Sequence, residues 1–405
     1  MDESEEEEGY GAEEGEVLEA ATNPSWCSCG IELHSSTMLK LPNKFLAASS
    51  CLMFSRHSAF VSKIRYMNRL KQDDEACVAA LLNGRLLLFH RNAPLLQRSE
   101  GGRFRSRTLQ CSDVQAVLQK LGTDGSLVKE SVLIGCEQNQ AQFCLDVGQL
   151  DRAAVENLCE GTFVDLNKAF FLLSGAEAPL VAKVRFSTNY AVVLFLQCLI
   201  NGLFQGKALL RWHQTNKFCG TSGQLTCRNQ AGSQRVCSSS GTVSYPMMAP
   251  VVIVLVSDGT RCLLGRQSSF PPGMYSALAG FCDMGENLEE ALCREVAEEV
   301  GLEVQNISYS SSQHWPHPHS SFMLGCHASV SPAHTELSVD HTELEDACWF
   351  TLDQLTAALQ VKAPPPKSCH GVLWLPPKHA IAHRLIVEWV ERQQHREAGQ
   401  EVAPA

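Results

Sequence analysis

No apolar run in this chain reaches the roughly 20 residues that a membrane-spanning helix needs. The longest, Tyr190 to Phe204, is broken by Gln197 and Asn201, so no membrane span is expected. Cysteine is plentiful, with 18 residues, but lacks the dense regular spacing of a small secreted scaffold and falls within apolar runs such as SVLIGC and FLQCLI. Reduced thiols in an intracellular compartment fit that distribution. Net charge is also missing from most of the chain. The formal charge is −11, yet residues 1–37 hold eleven Asp and Glu and no Lys or Arg, and everything from Met38 onward sums to zero. A charge argument for nucleic-acid binding therefore has little to rest on. The one basic stretch, RSEGGRFRSR with Arg98, Arg103, Arg105 and Arg107, reads as a solvated loop.

Acid is absent in turn from Leu33 to Gln72, where Lys40, Lys44, Arg56, Lys63, Arg65, Arg69 and Lys71 punctuate a Ser- and Ala-bearing apolar stretch. That is the composition of a mitochondrial transit peptide, set behind an acidic leader too poor in apolar residues to fold. The two agree if translation of the functional form begins at Met38, or if the leader belongs to an alternative transcript. A basic linker behind a disordered tail is the plain alternative.

A chain of 405 residues has room for two or three domains. The expected order is an acidic leader (1–37), a transit-like segment (38–72), a mixed N-terminal domain (73–184), an apolar insertion with a cysteine-bearing segment (185–247), a second α/β domain (248–396) and a tail (397–405). In the first domain VAALLNGRLLLFHRNAPLL suggests short strands with a turn at Asn83-Gly84, VQAVLQKLG a short helix, and SVLIGCEQNQAQFCLDVG a strand pair. Residues 166–184 have helical spacing. In the second, PVVIVLVSD, TRCLLGRQ, SALAGF, SSFMLGCHASV and DACWFTL read as strands and HAIAHRLIVEWVERQ as a closing amphipathic helix. This mixture predicts an α/β/α sandwich on a mixed sheet.

Within it stands GFCDMGENLEEALCREVAEEVGL, Gly280 to Leu302. Asn287 with Glu290 three residues on is a capping-box start for a helix over 288–300, whose Leu288, Leu292, Val296 and Val300 make a buried stripe. Glu295, Glu298 and Glu299 are spaced three and four apart and share another face. Like charges this close repel. An isolated acidic cluster is as a rule a solvated face, but a hard divalent cation would also resolve the repulsion, because carboxylate oxygens are its preferred ligands.

The complete spacing decides between these. Gly280, Glu286, Arg294, Glu295, Val296, Glu298, Glu299, Gly301 and Leu302 stand at the intervals of the Nudix hydrolase signature, none substituted, and the segment is similar to that family's loop-helix-loop site. The resemblance implies hydrolysis of a nucleoside diphosphate linked to another group, with Mg²⁺ or Mn²⁺ as cofactor. It implies that Glu295 and Glu299 are metal ligands, joined by the Ala279 carbonyl and Glu343. Glu298 is implied as a ligand or the base for the attacking water. Arg294 and Glu286 are implied as the pair tying helix to loop, and Gly280 and Gly301 as sources of backbone freedom.

Past the box, SSQHWPHPHSS (311–321) resembles the SQPWPFPxS element of the NADH pyrophosphatase subfamily, with His314 in place of a proline and His317 in place of a phenylalanine. The resemblance implies substrate contacts from Ser312, Gln313, Trp315, Pro316, His317 and Pro318, and further ones from Tyr245 and Ala382. It implies NADH or NADPH as substrate, cleaved to reduced nicotinamide mononucleotide and AMP or 2',5'-ADP. Another dinucleotide, an ADP-ribose conjugate or an NAD-capped RNA end is the alternative within enzymes, and a non-catalytic binding module the alternative outside them. Members of the group are often homodimers. Where they carry two Cys-x-x-Cys pairs for zinc, this sequence reads Cys219, Ser222, Cys237 and Ser240. With two soft ligands lost, no structural zinc is expected.

Overall fold

The computed structural model describes residues 61–98, 104–137, 140–166, 190–315, 320–361, 372–378 and 380–399, with the backbone alone for 190–201. The first described element is a helix over residues 61–72. Its Leu70 is fully buried, and Tyr66 and Met67 pack against the same core. The transit-like segment expected over 38–72 therefore does not hold its composition-based boundary. Its last turns are part of a folded core, because an amphipathic basic helix can bury one apolar face as readily as it can target a membrane.

The N-terminal domain is a seven-stranded sheet with the order Phe104–Ser106, Ala93–Arg98, Arg85–His90, Gln140–Asp146, Val132–Glu137 along its main path. The expected strand pair at 132–146 is present and antiparallel, as is the helix at Cys111–Lys120. VAALL, read as strand, is instead the end of helix Asp74–Leu82. Asp73 caps it by accepting from the Ala76 amide at 2.9 Å, and the hairpin turn falls at Arg91-Asn92, both with positive φ. Residues 167–184 lie outside those described. The apolar stretch taken as an insertion belongs to a 26-residue helix, Tyr190–Thr215. Its Leu203, Phe204 and Leu210 pack on Leu87, Phe89 and Ile134 of the N-terminal sheet. Among the described residues no helix is long and apolar enough to cross a membrane.

A small three-stranded antiparallel sheet follows, Thr226–Arg228, Arg235–Cys237 and Val243–Ser244. It is fastened to the N-terminal domain by Arg228, which donates to the Ser131 carbonyl at 3.0 Å, and by Asn229, which donates to the Lys71 carbonyl at 2.9 Å.

The second domain is built on Ala249–Ser257, whose alternation sends side chains to both faces. Val252, Val254 and Val256 meet Leu292, Val296 and Val300 of the helix Leu288–Val300 on one side. Ile253 and Leu255 meet Ile381, Leu385 and Trp389 of the closing helix Ile381–Glu397 on the other. The sheet is mixed. Ala249–Ser257 runs parallel to Ser321–Ser329 and antiparallel to Arg261–Arg266 and Leu278–Phe281. An α/β/α sandwich results, as the sequence leads one to expect. Two elements were not foreseen. Gln305–Trp315 is an eleven-residue edge strand that takes in SSQHW, the first five residues of the SSQHWPHPHSS element. A short helix, Leu352–Ala358, is opened by a capping box of Thr351 and Gln354.

Candidate active site

The acidic helix begins with the expected box, the Asn287 side chain accepting from the Glu290 amide and Glu290 accepting from the Asn287 amide, both at 2.9 Å. It ends at Gly301, whose φ of 71° is the left-handed cap that glycine favours. The three glutamates do not share one face in the way their spacing suggests. Glu295 and Glu299, one turn apart, are turned inward and buried, at 9% and 3% exposure. Glu298 stands outward with a side chain 55% exposed.

Arg294 organises the cluster. Its Nε and Nη2 donate to the two carboxylate oxygens of Glu286 at 2.6 and 2.9 Å, the two-pronged geometry that binds loop to helix. Nη1 donates to Glu295 at 2.9 Å and to Glu298 at 2.8 Å. Nη2 also reaches the Phe281 carbonyl at 2.8 Å, closing the strand end onto the helix. Hydrogen bonds from this guanidinium, with the Asp283 amide, hold Glu286 down to about 2. The guanidinium is itself stabilised in its charged form by the same partners.

Glu299 is the opposite case. Burial, followed by the nearby charges of Glu295, Glu343 and Glu298, pushes it up to about 8, and its Oε2 is buried without a hydrogen-bond partner. Glu295 is raised too, chiefly by burial, against the pull of Arg294. Gly280 explains how Glu295 can sit where it does. A Cβ at that position would lie 1.8 Å from the Glu295 carboxyl carbon. Gly280 lies in the strand Leu278–Phe281 and is not among the positive-φ glycines. Its value is close approach, not the backbone freedom inferred from sequence. An unpartnered buried carboxylate oxygen and a second carboxylate cradled against a bare backbone are donors of the kind a hard divalent cation takes, although among the described residues no group of three or more His, Cys, Asp or Glu stands close enough together to hold a metal ion.

Glu299 also lines a cavity of about 570 Å³. Trp315, Ala279 and Ala382 line it from the residues expected at the site, and Phe270, Pro271, Met274, Trp374, Pro376, Ile381 and Phe204 were not foreseen. The walls are tied together by the Tyr275 amide donating to the Trp374 carbonyl at 3.0 Å and the Trp374 amide to that of Gly273 at 2.8 Å. Arg266 braces the Phe270 turn by donating to its carbonyl at 3.1 Å. The available signal was a pair of proline-flanked aromatics, in SSFPPGMY and LWLPP.

The remaining expected residues are placed as follows. Gln313 accepts from the Ile381 amide at 2.8 Å, so it caps the closing helix next to the cavity. Ser312 pairs with Leu324 on the edge strand. Glu343 is exposed in a turn before buried Leu344. Tyr245 is 60% exposed and does not line the cavity. Pro316, His317 and Pro318 lie outside the described residues.

Comparison with known proteins bears on this arrangement. The NUDIX domain model matches residues 247–370, and the NADH pyrophosphatase-like rudimentary NUDIX domain matches 83–185. The chain is 47% identical over 348 residues to the human "NAD(P)H pyrophosphatase NUDT13, mitochondrial", covering 83% of this chain and 92% of the relative. It is 49% identical over 347 residues to the mouse protein of that name, covering 82% and 92%. The human "NAD-capped RNA hydrolase NUDT12" is 45% identical over 197 residues, which is 46% of this chain and 40% of that one. The chain belongs to the Nudix hydrolase family, with an NADH pyrophosphatase-like domain ahead of its Nudix domain.

Proposed function

We propose that this protein hydrolyses the pyrophosphate bond of NADH and NADPH, releasing reduced nicotinamide mononucleotide with AMP or 2',5'-ADP. The observation that carries the proposal is the position of Glu299. One buried, unpartnered carboxylate faces both the acidic cluster and an aromatic-walled cavity, so diphosphate chemistry and a flat ring are served side by side. The named activity of the two mitochondrial relatives supports the same substrate.

Glu295, Glu299 and Glu343 would hold the divalent cation, Mg²⁺ or Mn²⁺, with the Ala279 carbonyl as a further oxygen. Such an ion supplies charge neutralisation of the diphosphate and a more acidic bound water. Glu298, outermost of the cluster and in reach of solvent, receives the proton of the attacking water. Arg294 keeps that carboxylate aimed by the 2.8 Å hydrogen bond and fixes the helix to its loop through Glu286. Trp315 and Phe270 bind the base or nicotinamide by stacking, with Pro316, His317 and Pro318 as further substrate contacts. Tyr245 would reach substrate only if its segment moves toward the cavity. We place the protein in mitochondria, as the relatives' names state for them, with the leader ending ahead of the helix at 61–72, and as a homodimer.

An NAD-capped RNA end is the second reading, favoured by the relative of that activity. The full chain with Mn²⁺ should be given NADH, NADPH, NAD⁺, ADP-ribose and NAD-capped RNA at equal concentration. The proposal expects the reduced dinucleotides to have the highest kcat/KM. Preference for the RNA would replace it by the second reading.

A further inference from the structure

The small sheet ahead of the Nudix domain contains the same turn twice, CGTSG at 219–223 and CSSSG at 237–241. In each, the cysteine carbonyl accepts from the glycine amide four residues on, at 2.9 Å from Gly223 and 3.1 Å from Gly241. Each cysteine amide also donates across its loop, to Gln224 at 2.8 Å and Thr242 at 2.9 Å. Both glycines take positive φ, 68° and 70°, so each loop folds back over its own cysteine. The two loops meet at their cysteines, because Ser222 of the first loop reaches the thiol of the second. Serine hydroxyls surround them, with Ser222 Oγ and Ser239 Oγ each 3.3 Å from Cys237 Sγ. The thiols are free and covered, at 6% and 2% exposure, and the loops that follow them, 220–223 and 238–241, are exposed.

Two thiols and hydroxyls make a poor tetrahedral zinc site, since hydroxyls are weak donors beside thiolate or imidazole. They make a good place for thiol oxidation. Hydrogen bonds from Ser222, then Ser239 and Ser240, bring the Cys237 thiol down to about 5. Cys219 is lowered as well, through Ser222. A thiolate with a second thiol on the adjoining loop is the arrangement in which oxidation ends as a disulfide and not as a higher oxide. The third cysteine of the sheet, Cys227, cannot compete. It neighbours Thr226, which pairs with Cys237 across the ladder, so its own side chain points to the opposite face, where it is exposed.

We propose that Cys219 and Cys237 are a reversible redox pair that closes a disulfide across the two loops when the protein meets a peroxide. The Cys237 thiolate attacks one peroxide oxygen, forming a sulfenic acid and expelling the other oxygen as hydroxide. The Cys219 thiol then attacks that sulfur, the S–S bond forms and the hydroxyl leaves as water after taking a proton. In sum, two thiols and one hydrogen peroxide give one disulfide and two waters. The sulfurs are oxidised and the peroxide oxygens reduced. Closure staples the loop formed by residues 220–236 and restrains the unfolded chain, which gives the sheet a covalent support.

The test is a peptide map of the reduced full chain treated with one equivalent of hydrogen peroxide and then alkylated without reductant. The proposal expects a Cys219–Cys237 crosslinked peptide, lighter by two hydrogens than its parts. Alkylation of both cysteines should fall together to near zero, recover with dithiothreitol, and be accompanied by a raised thermal midpoint. C227S should form the crosslink unchanged, whereas C219S should leave Cys237 as a sulfenic or higher acid. Should the wild-type map show Cys237 going to sulfinic acid, pairing with Cys227, or staying fully alkylated, the proposal is overturned.

Discussion

Replacing Gly280 with alanine tests how the acidic site is assembled. The new Cβ would stand 1.8 Å from the Glu295 carboxyl carbon and 1.9 and 2.1 Å from its oxygens. Restoring an ordinary contact of about 3.4 Å means withdrawing the carboxylate by roughly 1.6 Å, about the displacement that costs a hundredfold when a reacting geometry is lost. The backbone should not object, since Gly280 lies in a strand and is not among the positive-φ glycines. Circular dichroism and the thermal midpoint of G280A should therefore stay close to wild type. Its kcat/KM for NADH should fall on the order of a hundredfold, and more Mn²⁺ should be needed to reach half activity. The double variant G280A/E295A should be no worse than E295A, because the clash then has no partner. Wild-type turnover and Mn²⁺ dependence in G280A would show that Glu295 does not depend on the bare backbone.

Three further outcomes follow from particular residues. In metal-free protein Glu299 is raised from its ordinary 4.5 to about 8, so the folded chain keeps a proton that the unfolded chain has released between those values. Stability should then fall as pH rises through that window; thermal midpoints in chelator should decline, decline less in E299Q, and recover with Mn²⁺. Phe270→Ala, which removes an aromatic wall of the cavity, should raise KM for NADH about tenfold or more with kcat little changed, as expected for lost base stacking worth ~1–3 kcal/mol. Leu70→Ala, in the helix ahead of the first sheet and 1% exposed, should cost about 2–5 kcal/mol in denaturant unfolding. A cost near zero there would return that helix to the transit segment.

The Nudix half was legible because its signals are local and agree with one another. VVIVLV alternates between two cores, Asn287 and Glu290 close their box, and Gly301 ends the helix with positive φ. Elsewhere one local signal had to compete with distant contacts. SSQHW is polar and looks like loop, but its backbone is satisfied by Ser321–Ser329 as an edge strand, with irregular register farther back between Tyr309 and Ser311. VAALL has as much strand as helix character until Asp73 supplies the cap. The division of Glu295 and Glu299 from Glu298 depends on how the helix is rotated on the sheet, which spacing alone does not fix. The role of Gly280 depends on a side chain fifteen residues away. The cavity walls come from segments scattered between Phe204 and Ala382, so no single window of sequence could announce them.

The account stands on a divalent cation held at Glu299 beside a dinucleotide pocket. The most direct measurement is NADH cleavage by the full chain across a Mn²⁺ titration, wild type against Glu299→Gln, with circular dichroism on the same samples. Activity that rises with Mn²⁺ in the wild type and is nearly lost at every Mn²⁺ concentration in a folded E299Q is the predicted result. Cleavage that ignores Mn²⁺, or survives undiminished in the variant, would contradict it.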